Sequence, residues 1–237
     1  MKLKIEYNSQ IIEFIVEYRK RKTFEISIDP PDIVKVAAPI GAKEDIIVKI
    51  VESKAKWIIK KLSFFREIGY VRERREYAAG EVFMYLGKNY SLHIAIDESV
   101  NKPTIKLYHD MLCLTTNTND KEIIKATIKE WYIQKTYENV FQKVEHYQPY
   151  FTVQPKYIKV KEQKKRWGSC GTNRHILFNW RCSMAPSYVI DYIVVHEMSH
   201  LVHMNHSQDF WKLVESIIPN YRKAKEWLKR NGFRMFL

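Results

Sequence analysis

Residues 196–200 read His196-Glu197-Met198-Ser199-His200, and they follow an apolar run, Tyr188-Val189-Ile190-Asp191-Tyr192-Ile193-Val194-Val195, that contains no glycine. This stretch constrains the fold more than any other, because its chemistry works only if it is a buried helix. On an α-helix, residues four apart project from one face about a turn apart, so His196 and His200 would aim their imidazoles at a common point. Two imidazoles then converge on one metal ion, and Glu197 lies where it can accept the proton of a metal-bound water. The five-residue pattern alone arises by chance in on the order of one chain per hundred of this length, so context decides. Pro186 suits the first helical turn and Ser187 is placed to help cap it. The alternative is a set of ordinary histidines satisfied by hydrogen bonds.

A zinc site with an open coordination position needs a third protein ligand. His206 leads: Asn205 can adopt the left-handed conformation that ends a helix, letting the chain turn back. The spacing matches His-Glu-x-x-His-x-x-Gly-x-x-His. However, His203 stands where that pattern has glycine, so the helix is expected to run on further. No Met-turn is visible either, since Met235 sits two residues from the end, which disfavours a metzincin. Glu215 on the following helix is the second choice of ligand, and His203, near the same helix face, the third. For an oxyanion donor, Arg181, Tyr188, Tyr192, His203 and Tyr221 stay open.

The chain has 237 residues, enough to bury a sizeable core as one domain or two. No stretch approaches the roughly 18 consecutive apolar residues of a membrane span, and the N-terminus lacks a secretion signal. Three cysteines, Cys113, Cys170 and Cys182, are few and odd in number, which fits the reducing cytoplasm. The spacing of Cys170 and Cys182 matches no structural zinc pair, so both read as packed thiols.

Charge is uneven. Of 40 Lys and Arg, 15 fall after residue 154, against 6 of 27 Asp and Glu. Lys159, Lys161, Lys164, Lys165 and Arg166 form one group, and Arg222, Lys223, Lys225, Lys229 and Arg230 another. A basic surface draws polyanions, which makes nucleic acid a candidate partner, with a solvated basic face as the alternative. Trp167, Trp180 and Trp211 could stack bases, but at their spacing they read first as core anchors.

Local patterning gives an α+β chain. Short β-like runs at residues 3–7, 11–18, 24–28 and 33–38 suggest a meander. One helix is expected from Lys43 to about Phe65, with Ile46, Ile47, Ile50, Val51, Ala55, Ile58, Ile59 and Leu62 at helical spacing. Residues 72–76 form a charged connector. Strands follow at 82–86, 90–96, 104–108 and 111–115, then a long helix capped by Asn119 or Asp120 and reaching about His146. Residues 157–161 and 175–179 read as strands leading into the motif helix. Ser207 caps a helix over 210–217, and Pro219 opens a last basic helix ending near Gly232. A β-rich portion with two long helices, residues 1–154, would thus precede a catalytic core over 155–237, as two domains or as one continuous one, since no flexible linker parts them. The only hint of an internal repeat is two loosely similar strands-then-helix arrangements.

Several of these segments together resemble the YgjP-like family of metal-dependent hydrolases: Arg166-Trp167-Gly168-Ser169-Cys170, Phe178-Asn179-Trp180-Arg181, the stretch from Val195 to Leu201, Met204-Asn205-His206-Ser207 and Phe210-Trp211. Upstream, Tyr18-Arg19-Lys20, Ala38-Pro39 and Lys54-Ala55-Lys56-Trp57-Ile58 resemble that family's N-terminal portion. The resemblance implies a zincin-type core related to SprT-like proteases, with Zn2+ held by His196, His200 and His206 and with Glu197 as catalytic base. It also suggests residues 175–179 as the strand edge that receives an extended peptide, and puts Cys170 near the site. The expectation is a zinc metallopeptidase acting on protein or peptide by Glu197-assisted attack of metal-bound water. Alternatives are a nucleic-acid-associated protease, a non-peptide amide hydrolase and a metal-binding module without hydrolysis.

Overall fold

The computed structural model describes residues 1–70, 75–163 and 165–237. Most of the charged connector at 72–76, and Lys164 of the first basic group, lie outside the described residues. The chain has an α+β fold in two compact units, Met1–Arg74 and Arg75–Leu237. The division falls at residue 74 and not at 154. The shift in charge after residue 154 marks a surface, whereas the core of the second unit draws on strands from residue 82 onward and on the long helix before 154.

In the first unit, β1 (Lys2–Tyr7), β2 (Gln10–Arg19), β3 (Glu25–Asp29) and β4 (Ile33–Pro39) form a sheet of order β1-β2-β4-β3. It is not a simple meander, because β2 and β4 run parallel while the other pairs are antiparallel. Asn8 and Ser9, at φ 50° and 59°, make the two-residue turn whose left-handed conformation matches strand twist. Alternate residues Ile12, Phe14 and Val16 of β2 and Val34, Val36 and Ala38 of β4 point to one face. Ile47 and Val51 of α1 (Glu44–Ser53) and Ala55 and Ile58 of α2 (Ala55–Glu67) cover it. The single helix expected here is broken at Lys54, where the Ser53 hydroxyl donates to the Ile50 carbonyl at 2.7 Å and competes with the helical ladder.

The second unit begins with the same topology. β5 (Val82–Tyr85), β6 (Lys88–Ile96), β7 (Thr104–Tyr108) and β8 (Met111–Thr116) are ordered β5-β6-β8-β7, again with a parallel central pair. The two strands-then-helix arrangements are therefore one motif used twice. At the β5–β6 turn, Leu86 and Gly87 have φ 48° and 78°, and a Cβ on Gly87 would sit 2.6 Å from Pro186 Cγ. Glycine is needed there for conformation and for close approach. The turn donates from Leu86 N to Ser183 O (2.8 Å) and from Gly87 N to Met184 O (3.0 Å), fixing the segment that precedes the motif helix.

α3 (Lys121–Tyr147) starts at Asp120, whose carboxylate accepts from Glu122 N and Ile123 N. One face buries Ile124, Ile128, Trp131, Tyr132, Thr136, Val140 and Val144. Its buried polar groups are matched: Tyr132 donates to Met84 O (2.7 Å), and the Thr136 hydroxyl lies 2.5 Å from Trp180 O and 2.8 Å from Ser183 Oγ. Orphaning such a group costs about 1–3 kcal/mol, so the pairing matters. β9 (Tyr157–Lys161), β10 (Gly168–Cys170) and β11 (His175–Asn179) form a sheet of order β10-β11-β9. β11 is thus central, bonded on both sides, and cannot offer the peptide-binding edge expected of residues 175–179. The edges of this sheet are β10 and β9. A 3-10 turn, Trp180–Met184, then leads into α4 (Ser187–Ser199), followed by α5 (Gln208–Ile217) and α6 (Tyr221–Asn231). Among the described residues no helix is long and apolar enough to cross a membrane.

Glu162 joins three elements beside the site. It accepts from Trp180 Nε1 (2.8 Å), Lys129 Nζ (3.0 Å) and Arg181 Nη1. Burial alone would raise its carboxyl, but these hydrogen bonds and the guanidinium charge bring it down to about 2. A depressed folded-state value stabilises above the ordinary 4.5 and is lost as pH falls toward 2. Denaturant titrations between pH 5 and 2 should therefore show a steeper loss of stability in the wild type than in Glu162→Gln; equal slopes would refute the assignment.

Candidate metal centre

α4 is buried on nearly every side, with Val189, Ile190, Tyr192, Ile193, Val194, Val195 and Met198 all enclosed. A helix apolar around its circumference is stable only inside a core, and this one is clasped by α3, α5, α6, β10 and the 3-10 turn. Lys143 of α3 also donates to Asp191 Oδ1 (2.6 Å) and Ser187 Oγ (2.8 Å), so Ser187 serves this contact and caps nothing. The helix ends sooner than expected. It closes at His200 with tightened bonds from Leu201 N to Met198 O and from Val202 N to Ser199 O, and Asn205 is not left-handed.

This early turn brings His206 back over the helix. Ring centroids of His196 and His200 lie 5.0 Å apart, and His206 sits 5.0 Å from the first and 4.8 Å from the second. One ligand nitrogen from each of the three lies within 4.8 Å of the others, the one such group of His, Cys, Asp or Glu among the described residues. His196 Nε2 and His206 Nε2 are 3.1 Å apart. Neighbouring nitrogens on tetrahedral zinc, with bonds of about 2.0–2.1 Å, stand about 3.3 Å apart, so the pair fits such a shell and the triad as a whole is somewhat looser. His200 Nδ1 lies 3.0 Å from the His203 carbonyl and can donate to it, which leaves Nε2 free for a metal. His203 therefore contributes its backbone rather than its ring. Glu215 is engaged elsewhere, 3.0 Å from Arg222 Nη1.

Burial favours the neutral form in two of the three histidines. Burial, then the nearby His200, His206 and Lys225, hold His196 down at about 3, and burial also lowers His200. Neutral imidazole is the form that binds metal. Three imidazoles with room beside them fit zinc with an open position. His196 Nδ1 has no partner among the described residues, so its ring is held by packing against Phe210 (5.0 Å) and Tyr192 (5.6 Å).

Glu197 is 5 % exposed, and its Oε2 is buried without a hydrogen-bond partner among the described residues. Burial pushes its carboxyl up to about 8, with the charge of Arg166 pulling the other way. Such a group exchanges a proton near neutrality, as a general base or acid must. Glu197 and the three histidines line one cleft of about 690 Å³, together with residues 166–170 and with Lys225, Leu228 and Lys229 of α6. Of the five candidate oxyanion donors only Tyr192 lines this cleft, and burial pushes its hydroxyl up to about 12, so it keeps its proton. Cys170 also lines it, as a free thiol pushed up to about 11 by burial and by Glu197.

Sequence reasoning missed what holds His206, an exposed residue on a loop. Its ring stacks on Trp211 (5.6 Å, 21°), Trp211 stacks on Tyr221 (5.3 Å, 19°), and Tyr221 on Tyr192 of α4 (6.1 Å, 22°). A column of four rings thus ties the loop ligand to the helix that bears the other two. Phe210-Trp211, four and five residues after His206, was the available signal. Trp180 is fully buried, with its indole on Glu162, and Trp167 packs against Gly232, where an added Cβ would meet its ring at 2.7 Å. Both serve structure.

No curated protein matches this chain. Among solved structures, the crystal structure of the metallopeptidase zymogen of Pyrococcus abyssi abylysin is similar, at 25% identity over 38% of this chain and 90% of that one, with a TM-score of 0.34. The YgjP-like model, described as a metallopeptidase domain, matches residues 22–231, which takes in β3, β4 and both helices of the first unit and the whole cleft. The chain belongs to the YgjP-like metallopeptidase family.

Proposed function

We propose that the protein is a zinc-dependent peptidase in which His196, His200 and His206 hold the ion and Glu197 is the general base. The observation that carries this is the meeting, in one cleft, of three imidazole nitrogens and a buried, unpartnered carboxyl. Zinc in such a site acidifies water and polarises a carbonyl. Glu197 takes a proton from the attacking water and returns it to the leaving amine. Tyr192 donates its hydroxyl to the developing oxyanion. β10 pairs with β11 on one side only, and its other edge can receive an extended peptide by backbone hydrogen bonds. A non-peptide amide hydrolase would use the same groups. A metal-binding module would leave the cost of burying Glu197 without purpose.

Gly168 of β10 is what allows Glu197 to lie against that strand. A Cβ on Gly168 would meet Glu197 Cγ at 2.6 Å and Oε1 at 2.7 Å, so any side chain there displaces the carboxyl.

Two substitutions separate metal binding from chemistry. Glu197→Gln should keep one zinc per chain while peptide cleavage, profiled on a denatured proteome, falls by about a hundred- to ten-thousand-fold; unchanged cleavage would exclude Glu197 as the base. Gly168→Ala should likewise keep its zinc and lose about a hundredfold in turnover through misplacement of the carboxyl; full activity would show that β10 does not position Glu197.

A further inference from the structure

The cleft has a charge pattern that the peptidase chemistry does not require. Arg166 lines the cleft just before β10, and Lys225 and Lys229 line it from α6, one helical turn apart. Among the residues lining the cleft the only carboxyl is Glu197. Neither Arg166 nor Lys225 forms an ion pair with a described residue, and Lys229 has only the exposed Glu226 (3.4 Å), which it shares with Arg230. Lys225 Nζ lies 4.5 Å from the centre of the Trp211 ring, the ring on which His206 stacks, so its ammonium sits beside the histidine triad. Arg166 and Lys225 both line the cleft that holds the histidines and Glu197, so two cations share the space of the reacting centre. A cleft lined by one sign of charge with apolar walls concentrates the opposite sign.

We propose that the cleft selects peptides bearing a carboxylate beside the scissile bond, received by Arg166 and Lys225 with Lys229 as an outer guide. This rests on the peptidase reading above. A peptide is favoured over nucleic acid because the cleft, about 690 Å³, holds a few residues beside the β10 edge. Of the tryptophans that could stack bases, Trp180 is buried, Trp211 is stacked between His206 and Tyr221, and Trp167, which lines the cleft, packs against Gly232. The carboxylate can come from an Asp or Glu side chain or from a peptide C-terminus.

The test uses the zinc-loaded full chain with matched peptides carrying Glu or Gln on either side of the cleaved bond, each as C-terminal acid and as amide. Glu peptides should exceed Gln peptides in kcat/KM by about tenfold or more, chiefly through KM, and the advantage should shrink as salt rises. In an Arg166→Gln, Lys225→Gln double variant the ratio should fall toward one. A preference for acid over amide, regardless of side chain, would identify the C-terminus as the source. Equal cleavage of Glu and Gln peptides, or inhibition by single-stranded DNA without any acidic preference, would overturn the proposal while leaving the peptidase reading intact. If no peptide is cleaved, that reading fails instead, and titration of zinc-loaded Glu197→Gln with the same peptides, followed by calorimetry, still decides: tighter binding of the acidic members supports the inference, and equal binding overturns it.

Discussion

Enclosing α4 is the constraint on which the second unit depends. The helix is apolar on every side, yet it carries two imidazoles and a carboxyl that must reach a cleft. Burying Glu197 without a partner costs free energy, and it is borne by the packing of α3, α5, α6, β10 and the 3-10 turn around the same helix. That packing sets the chemistry directly, since the desolvation that raises the Glu197 carboxyl and lowers His196 is produced by these walls. A looser enclosure would hydrate both groups and return them toward ordinary values.

The third histidine poses a different problem, because it lies on an exposed loop where backbone freedom would cost affinity for a metal. Two devices fix it. The chain turns immediately after His200, closed by short backbone bonds back to Met198 and Ser199, and the His206 ring then joins the aromatic column that runs through Trp211 and Tyr221 to Tyr192. The column starts and ends at the elements that carry the three histidines, so a disturbance at Trp211 or Tyr221 reaches both. Lys225 lies over one ring of that column, which links the cationic rim of the cleft to the same framework.

What could be read from the sequence was local. The motif helix, the Asp120 and Ser207 caps and most strands follow from periodicity and capping chemistry within a few residues. What escaped depends on partners distant in the chain. The parallel β2–β4 and β6–β8 pairs leave no local mark, and β10 is three residues long and begins with glycine. Without β10, residues 175–179 look like an edge; with it they are central. The helix break at Lys54 had a local cause in the Ser53 hydroxyl, yet the apolar spacing runs smoothly across it and hides the break. The end of α4 was misplaced because Asn205 offered a plausible left-handed stop, while the helix closes at His200 through backbone bonds from Leu201 and Val202 to Met198 and Ser199. His206 itself was legible from spacing, but Trp211 as its support was not.

The central claim is that His196, His200 and His206 act as one metal site. Zinc affinity of the chelator-stripped chain, measured by competition with a chromophoric chelator and by elemental stoichiometry, tests it most directly when wild type is compared with His196→Ala, His200→Ala and His206→Ala. The account predicts one zinc per chain in the wild type and affinity weaker by about a hundredfold or more in each variant, the loop residue included. Wild-type affinity in His206→Ala, or no zinc binding by the wild type, would contradict it.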